Sequence, residues 1–281
     1  MRQEEHLQPA EHKRIADFIA LKSGIQLPEH KRSLIETRLR RRVKATGYKS
    51  FIDYLNFTLS SDGAREEQIL LIDALTTNTT DFFREPGHFD FLCHYLSNHW
   101  VDQSGSGFTS PLKVWSAACS TGEEPYTLAM VLSELRGELV GFEFTIDATD
   151  IAPSVLETAK KGIYAQSRIA PVAEYLRKKY LLKSRDPAKA LIRMDTSLRA
   201  CVHFYPFNLI TGHYPTKPTY DVIFCRNVLI YFNGEDREKI LRRLRMALRP
   251  GGLLFIGHSE NIGTLRDEFE TLIPTVFRRI G

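Results

Sequence analysis

The chain contains few cysteines and no long apolar run. Its cysteines are scattered and form no C-x-x-C pair, which favours free thiols in a reducing compartment over disulfides or a zinc site. No apolar run approaches the roughly 20 residues that a membrane-spanning helix requires. The segment Met1 to Arg14 lacks the apolar core of a signal peptide. We therefore expect a cytoplasmic protein that does not insert into a membrane.

The motifs of several enzyme classes are also missing. The sequence contains no H-E-x-x-H, no G-x-S-x-G, no P-loop and no Cys/His arrangement with recognisable spacing. A net charge of +4 over 281 residues is modest and does not by itself indicate nucleic-acid binding. The chemistry therefore has to be sought in less familiar patterns.

The organisation of the chain changes near residue 76. Before it, helical apolar patterns predict four short helices, at roughly 11–23, 29–45, 50–59 and 64–75, and a fifth is an option in the linker. Thr76 to Arg84 is rich in Thr and Asn, which make a poor helix interior, and is predicted to be a linker.

From Glu85 onwards the patterns of helices and strands alternate, which predicts a parallel sheet with helices on both faces. Strands are expected near 112–117, 142–147, 201–205, 220–225, 253–257 and 274–280. A charged, proline-containing stretch interrupts this alternation and predicts a small insertion. We therefore expect a helical N-terminal domain at 1–75, a linker at 76–90 and a larger domain at 91–281, with the insertion at about 167–200.

The most informative segment is Val114 to Tyr126, with the sequence VWSAACSTGEEPY. A short strand runs into six small residues, and such a turn lets the backbone pass close to a bound ligand. The next strand is followed by Asp150, and an acid at that place can accept hydrogen bonds from both hydroxyls of a ribose. The segment has no G-x-G-x-x-G fingerprint, so a nucleoside ligand is one interpretation and a tightly packed turn is the other.

Three further segments accompany this turn: TTNTTDFFRE at 76–85, YDVIFCRNVLIYF at 220–232 and LRPGGLLFIGHSE at 248–260. In order and spacing, the four segments closely resemble the chemotaxis receptor glutamate O-methyltransferase (CheR) family, over about Ile15 to Phe277. The resemblance implies methyl transfer from S-adenosylmethionine to receptor glutamates. It also implies an α/β fold: a Rossmann-like methyltransferase sheet with a small inserted antiparallel β subdomain, preceded by a small all-α N-terminal domain.

The resemblance implies a cofactor site assembled from several segments. Asp150 is the first candidate for the ribose hydroxyls, and Asp147 is the alternative. Glu124 is expected at the cofactor, although an acid at a helix start is also favoured by the helix dipole alone. The other expected cofactor-binding residues lie in the linker and after the strands: Asn78, Thr80, Arg84, Asn208, Leu209, Arg226 and Asn227. His258 and Glu260 are expected to hold a strand exit.

Methyl transfer from a sulfonium to a carboxylate is a single in-line displacement. A glutamate with a pKa of about 4.3 is ionised at neutral pH, so the reaction needs no general base and no metal. The protein has to align the reacting atoms and exclude water. Arg84 and Tyr231 are the expected catalytic residues, because the planar guanidinium suits a carboxylate and Tyr231 resembles the family's active-site tyrosine. Tyr231 as a core aromatic is the alternative.

A basic segment lies between Lys31 and Lys44, with seven basic residues and one acid. Apolar residues recur every four positions on one side of the predicted helix, and Arg38, Arg41 and Arg42 fall together on another. We expect these three arginines to bind an acidic substrate, the helical cytoplasmic signalling domain of the receptors. A solvated helix face is the alternative.

Two other functions are weighed against methylation of receptors. A nucleic-acid methyltransferase would use the basic helix, but the N/D-P-P-Y/F motif of nitrogen-directed enzymes is replaced by C-R-N-V at 225–228. A non-catalytic module that binds S-adenosylmethionine is disfavoured by the complete motif set. Family members that dock on a receptor tail peptide carry a glycine-rich turn in the insertion, whereas 183–190 contains no glycine. The missing glycine turn counts against peptide-tethered docking. We also expect a monomer without nucleic-acid partners.

Overall fold

The computed structural model describes residues 6–60, 64–100 and 106–281. In the first of these ranges and the start of the second, four helices form a domain around its own core: α1 (Pro9–Ser23), α2 (Arg32–Thr46), α3 (Phe51–Thr58) and α4 (Arg65–Leu75). The apolar positions of α1 and α2 are spaced three or four residues apart and pack into one shared core, so Ile15, Ile19, Ile35 and Leu39 are fully buried.

The rest of the described chain alternates between helices and strands. Its helices are α5 (Gly87–Tyr95), α6 (Glu123–Glu138), α7 (Pro153–Lys161), α8 (Glu174–Tyr180), α9 (Thr196–Ala200) and α10 (Gly234–Ala247). Its strands are β1 (Leu112–Ala117), β2 (Phe144–Asp150), β3 (Ile163–Ala165), β4 (Leu181–Lys183), β5 (Leu191–Met194), β6 (Val202–Pro206), β7 (Tyr220–Cys225), β8 (Leu248–Ile256), β9 (Phe269–Ile273) and β10 (Val276–Arg279).

Seven strands form one sheet, in the order β6-β2-β1-β7-β8-β10-β9. The five strands from β6 to β8 are parallel, and β10 runs antiparallel to both of its neighbours. The strand order reverses between β1 and β7, and open α/β sheets bind ligands outside the carboxyl ends of the strands at such a point. The fold thus places the ends of β1, β2 and β7 together.

A small antiparallel sheet, in the order β3-β5-β4, is inserted between β2 and β6. The α/β fold with its inserted antiparallel sheet and preceding helical domain confirms the expected fold class. The strands of the insertion already begin at Ile163, before the expected start near 167. The division of the chain at residues 75 and 90 stays a prediction. Among the described helices, none has the length and apolar character needed to cross a membrane.

The helical domain packs over the carboxyl edge of the large sheet. Ile25 forms an isolated antiparallel bridge with Phe232, and the backbone N–H of Gln26 donates to the carbonyl of Tyr231 at 2.8 Å. The Asn208 side chain donates to the carbonyl of Lys22 at 2.8 Å. These contacts bring the helices next to the polar residues that follow β6 and β7.

Candidate active site

A cleft lies between the helical domain and the carboxyl edge of the sheet. It encloses about 1220 Å³, including space open to solvent. Every residue that the sequence predicts for the cofactor lines this cleft, as does Tyr231: Asn78, Thr80, Arg84, Glu124, Asp150, Asn208, Leu209, Arg226 and Asn227. The fold therefore brings together side chains that are separated by up to about 150 positions in the sequence.

The turn after β1 passes close to the cleft in an unusual backbone conformation. Ala118 and Ser120 both have positive φ, at 65° and 50°, which costs a non-glycine residue about 1–3 kcal/mol. The N–H of Ser120 donates to Asp150 Oδ2 at 2.8 Å, and its hydroxyl donates to the carbonyl of Asn78 at 2.8 Å. The strained turn is thus tied to β2 on one side and to the linker on the other.

Asp150 ends β2 and is only 7% exposed. Its second oxygen accepts the N–H of Ala152 at 3.0 Å. Burial raises the pKa of Asp150, while the backbone N–H donors act against that rise. Each carboxylate oxygen has a further lone pair, so the group can still accept two hydroxyls from the cleft. The alternative, Asp147, does not line the cleft and accepts the hydroxyl of Tyr220 at 2.9 Å.

A buried cation clamps two carboxylates at the floor of the cleft. The Arg226 side chain is 1% exposed and lies 2.8 Å from Glu85 Oε2 and 3.1 Å from Glu124 Oε2. Its guanidinium packs against the rings of Phe89 and Phe224, with its carbon 5.4 and 5.8 Å from their centroids. We refer to Arg226, Glu85 and Glu124 as the arginine clamp. The clamp gives Arg226 a role inside the protein that the sequence did not indicate.

The pKa values of the two clamp carboxylates are shifted in opposite directions. Burial alone would raise the pKa of Glu85, but hydrogen bonds from Arg226 and Asn227 bring it down to about 2. Burial raises the pKa of Glu124, against the attraction of Arg226 and a hydrogen bond from Ser116. Glu85 is therefore the firmly ionised partner of Arg226. No role for Glu85 was predicted from the sequence, although it lies at the end of the linker motif at 76–85.

The linker is held by cations from both flanking regions. Arg38 of α2 donates to the carbonyls of Leu75 and Thr76 at 2.9 and 2.7 Å. Arg168, at the start of the insertion, donates to the carbonyl of Thr80 and lies 2.7 Å from Glu123. Arg168 was not singled out from the sequence, because no local pattern distinguishes it from other surface arginines.

Arg84 lines the cleft next to these contacts. Its guanidinium donates to the carbonyl of Thr79 at 3.1 Å. Among the described residues no carboxylate lies within ion-pair distance of Arg84. Its charge is therefore available to a carboxylate that enters the cleft.

The loop after β7 presents Tyr231 to the cleft. Glu260 accepts the backbone N–H of Asn227 at 2.9 Å and of Leu229 at 2.7 Å, which agrees with its expected role at a strand exit. Phe232 is buried, whereas Tyr231 is half-buried with its ring at the cleft. Lys31 Nζ lies 5.6 Å from the centroid of that ring. Both aromatics line the cleft, and Tyr231 is the more exposed of the two.

The three arginines predicted to bind substrate have different surroundings. Arg38 turns inward to the linker and lines the cleft, and Arg42 forms an ion pair with Glu67 at 2.6 Å. Arg41 is exposed. They do not form one free basic face, because α4 packs beside α2 and places Glu67 opposite Arg42. Docking by these residues stays a prediction, and Arg41 is its exposed member.

Asn208 also has internal partners. In addition to its bond to Lys22, its side-chain oxygen accepts the backbone N–H of Ile210 at 2.8 Å. Its amide therefore joins the helical domain to the loop after β6. Leu209, the next residue, is buried with its side chain along the cleft. Contact of either residue with an adenine stays a prediction.

Almost the whole chain matches known protein families and relatives. Residues 10–76 match the family described as CheR methyltransferase, all-alpha domain, and residues 78–277 match CheR methyltransferase, SAM binding domain. A chemotaxis protein methyltransferase of Klebsiella aerogenes is 40% identical over 96% of this chain and 90% of its own length. One from Escherichia coli K12 is 39% identical over 96% and 91%.

A further relative, chemotaxis protein methyltransferase 2 of Pseudomonas aeruginosa, is 37% identical over 92% of this chain and 89% of its own length. The family match thus spans both the helical domain and the sheet that together form the cleft. On these grounds the chain belongs to the CheR family of chemotaxis protein methyltransferases.

Proposed function

We propose that this protein transfers the methyl group of S-adenosylmethionine to glutamate side chains of chemotaxis receptors, giving glutamate methyl esters and S-adenosylhomocysteine. The observation that carries the proposal is the cleft itself, where Asp150 and Tyr231 line one continuous space. We propose further that the protein acts as a cytoplasmic monomer on the helical signalling domain of the receptors.

The residues of the cleft fit a nucleoside with a charged amino-acid tail. Asp150 offers two acceptor oxygens for the ribose hydroxyls, and the buried Leu209 offers an apolar surface for a base. Arg84, with its charge available, suits the carboxylate of the tail or of the substrate. When bound, S-adenosylmethionine supplies a methyl group made electrophilic by its sulfonium.

A second groove supports an approach for the substrate. It has an empty volume of about 710 Å³, including space open to solvent, between α1 and the Tyr231 loop, and it shares Lys31 and Tyr231 with the cleft. The ammonium of Lys31 lies over the Tyr231 ring where the two spaces meet. A cation at that junction attracts an anionic side chain, so a glutamate entering along this groove would arrive beside the methyl donor.

The proposed step transfers one methyl group and requires no proton transfer. A carboxylate oxygen of the substrate forms a bond to the methyl carbon as the carbon–sulfur bond breaks, and the bonding electrons leave with sulfur. The clamp residues Glu85 and Glu124 are held by Arg226, so they are not placed to act as a base. The protein contributes alignment and exclusion of water, which is sufficient for a pre-ionised nucleophile.

The test uses tritiated methyl donor and receptor-containing membranes. The protein should introduce label that mild base releases as methanol, because esters are base-labile. Receptors in which the methylated glutamates are replaced by glutamine should take up no label. Label that persists on the glutamine receptors, or that resists base, would refute the carboxylate as nucleophile. Label in nucleic acid instead of receptor would favour the rejected alternative.

A further inference from the structure

Two histidines converge on Glu85 of the arginine clamp, and none of these three residues lines the cleft. The ligand atoms of Glu85, His88 and His258 all lie within 4.8 Å of one another. His88 Nδ1 is 3.6 Å from Glu85 Oε2, and His258 Nε2 is 4.0 Å from the same oxygen. The two imidazole rings are 5.1 Å apart and nearly perpendicular. Neither histidine is used by the proposed methyl transfer.

The hydrogen bonds of His88 leave one ring nitrogen without a partner. The hydroxyl of Thr275 donates to the carbonyl of Pro274 at 2.6 Å, and its oxygen is hydrogen-bonded to His88 Nε2 at 2.9 Å. His88 is 2% exposed, and its Nδ1 is buried without a hydrogen bond.

A buried ring nitrogen without a hydrogen-bond partner needs an explanation. An imidazole whose far nitrogen is anchored by a hydrogen bond is the usual arrangement of a histidine that binds a metal.

We propose that Glu85, His88 and His258 form a binding site for a divalent transition-metal ion of the zinc class. Two imidazoles and one carboxylate are a common protein ligand set for zinc, with water in the fourth position. Bonds of about 2.0–2.2 Å bring tetrahedral ligand atoms to roughly 3.3–3.6 Å from one another. The distances of 3.6 and 4.0 Å are near that range. The side chain of His258 is 62% exposed, so it gives the ion and its water access from solvent.

The site is coupled to the cleft through Glu85. The carboxylate oxygen that faces both histidines also accepts from Arg226 at 2.8 Å. A bound dication competes with Arg226 for that oxygen, so the site is exchangeable rather than a permanent structural centre. The ion has no part in the carboxylate displacement.

The test measures binding of Zn²⁺ and Co²⁺ to the full chain after treatment with a chelator, without methyl donor or receptor. The wild-type protein should bind one equivalent of Zn²⁺, with Mg²⁺ in excess failing to compete because imidazole prefers transition metals. Bound Co²⁺ should show the visible absorption of a tetrahedral site without a thiolate charge-transfer band. H258Q removes an exposed ligand and should weaken Zn²⁺ binding by about tenfold or more.

The matched control is H94Q, which removes an exposed histidine that lies beside His99 and away from the cluster. It should leave the affinity for Zn²⁺ unchanged. Absence of binding to the wild-type protein would overturn the proposal. So would equal losses in H258Q and H94Q, or a cobalt spectrum that shows thiolate ligation by a free cysteine. Circular dichroism of H258Q establishes that any loss of binding comes from the ligand and not from unfolding.

Discussion

At the scale of single residues, Arg226 has the most constrained position in the site. It is nearly inaccessible to solvent and is the partner of both clamp carboxylates. Replacing it by glutamine leaves the low-pKa carboxylate of Glu85 buried without its cation. Breaking a buried pair in this way costs about 3–5 kcal/mol of unfolding free energy. Urea denaturation of Arg226→Gln measures the loss.

The control for this prediction is Arg242→Gln. Arg242 pairs with Glu238 at 2.7 Å, but its side chain is 52% exposed. Exposed pairs of this kind contribute about 0–1 kcal/mol. If the two variants lost the same small amount of stability, the clamp would not be the buried ion-pair network described above.

Asp150 and Asp147 lie on the same strand and provide a matched pair for the cofactor. Asp150→Asn places an amide donor opposite the N–H of Ser120 or Ala152, and it removes the charge that faces the ribose. The affinity for S-adenosylhomocysteine should fall by roughly 1.5–3 kcal/mol, the range for hydrogen bonds to charged groups. Titration calorimetry measures this loss. Asp147→Asn, outside the cleft, should bind normally, and the reverse ranking would move the ribose to Asp147.

At the scale of elements, the end of α1 joins the helical domain to the sheet. Gly24 ends α1 with φ at 76°, and an added Cβ would lie 2.6 Å from Ile210 and 2.9 Å from Phe232. Gly47 ends α2 with φ at 80° but has nothing within 4 Å of its added Cβ. Substitution of either glycine strains the left-handed backbone to the same extent, but only Gly24 contacts the domain that contains the large sheet.

Alanine at either position should therefore lower the unfolding free energy by about 1–2 kcal/mol through the left-handed backbone alone. Only Gly24→Ala should also weaken the binding of S-adenosylhomocysteine, because it displaces the helices from the Tyr231 loop. Denaturation and calorimetry on both variants separate the two effects. Wild-type affinity in Gly24→Ala would mean that the packing of the helical domain does not shape the cleft.

The bounds of the strands show how much of the fold can be predicted from the sequence. The bounds of β1 and β7 agree with the prediction, since both are short buried runs between turn signals. β2 runs from Phe144 to Asp150 and not over 142–147, because Phe142 is buried in a turn that precedes the strand. β9 was not predicted at all.

In the site, Asp150 and Tyr231 could be predicted from motifs, because each lies at or after the end of a recognisable strand. The ion pairs of Arg42 with Glu67 and of Arg168 with Glu123 could not be predicted from the sequence. They join residues 25 and 45 positions apart, and no local periodicity records such a pairing. The sequence therefore does not reveal the long-range partners of charged side chains, and these partners determine which charges are left unpaired.

At the scale of the whole molecule, the modest positive charge bears on the proposed docking to an acidic receptor surface. Because Arg38 and Arg42 have internal partners, Arg41 is the arginine of this group that is placed to attract that surface. Arg41→Glu should slow receptor methylation at low ionic strength without changing cofactor affinity. The effect should shrink as salt is added, because exposed charges are screened.

The control is Lys178→Glu, an exposed change of the same charge on α8. Initial rates of receptor methylation across a salt series distinguish the two variants. Equal rates for Arg41→Glu, Lys178→Glu and the wild-type protein at low salt would mean that α2 presents only a solvated face.

The proposed function depends above all on the cleft as the place where the methyl donor binds. The most direct measurement is a crystal structure of the protein with S-adenosylhomocysteine. We predict that both ribose hydroxyls bind Asp150, that the base contacts Leu209 and that the sulfur faces Tyr231. Density for the ligand elsewhere, or a ribose bound at Asp147, would contradict the proposed binding site.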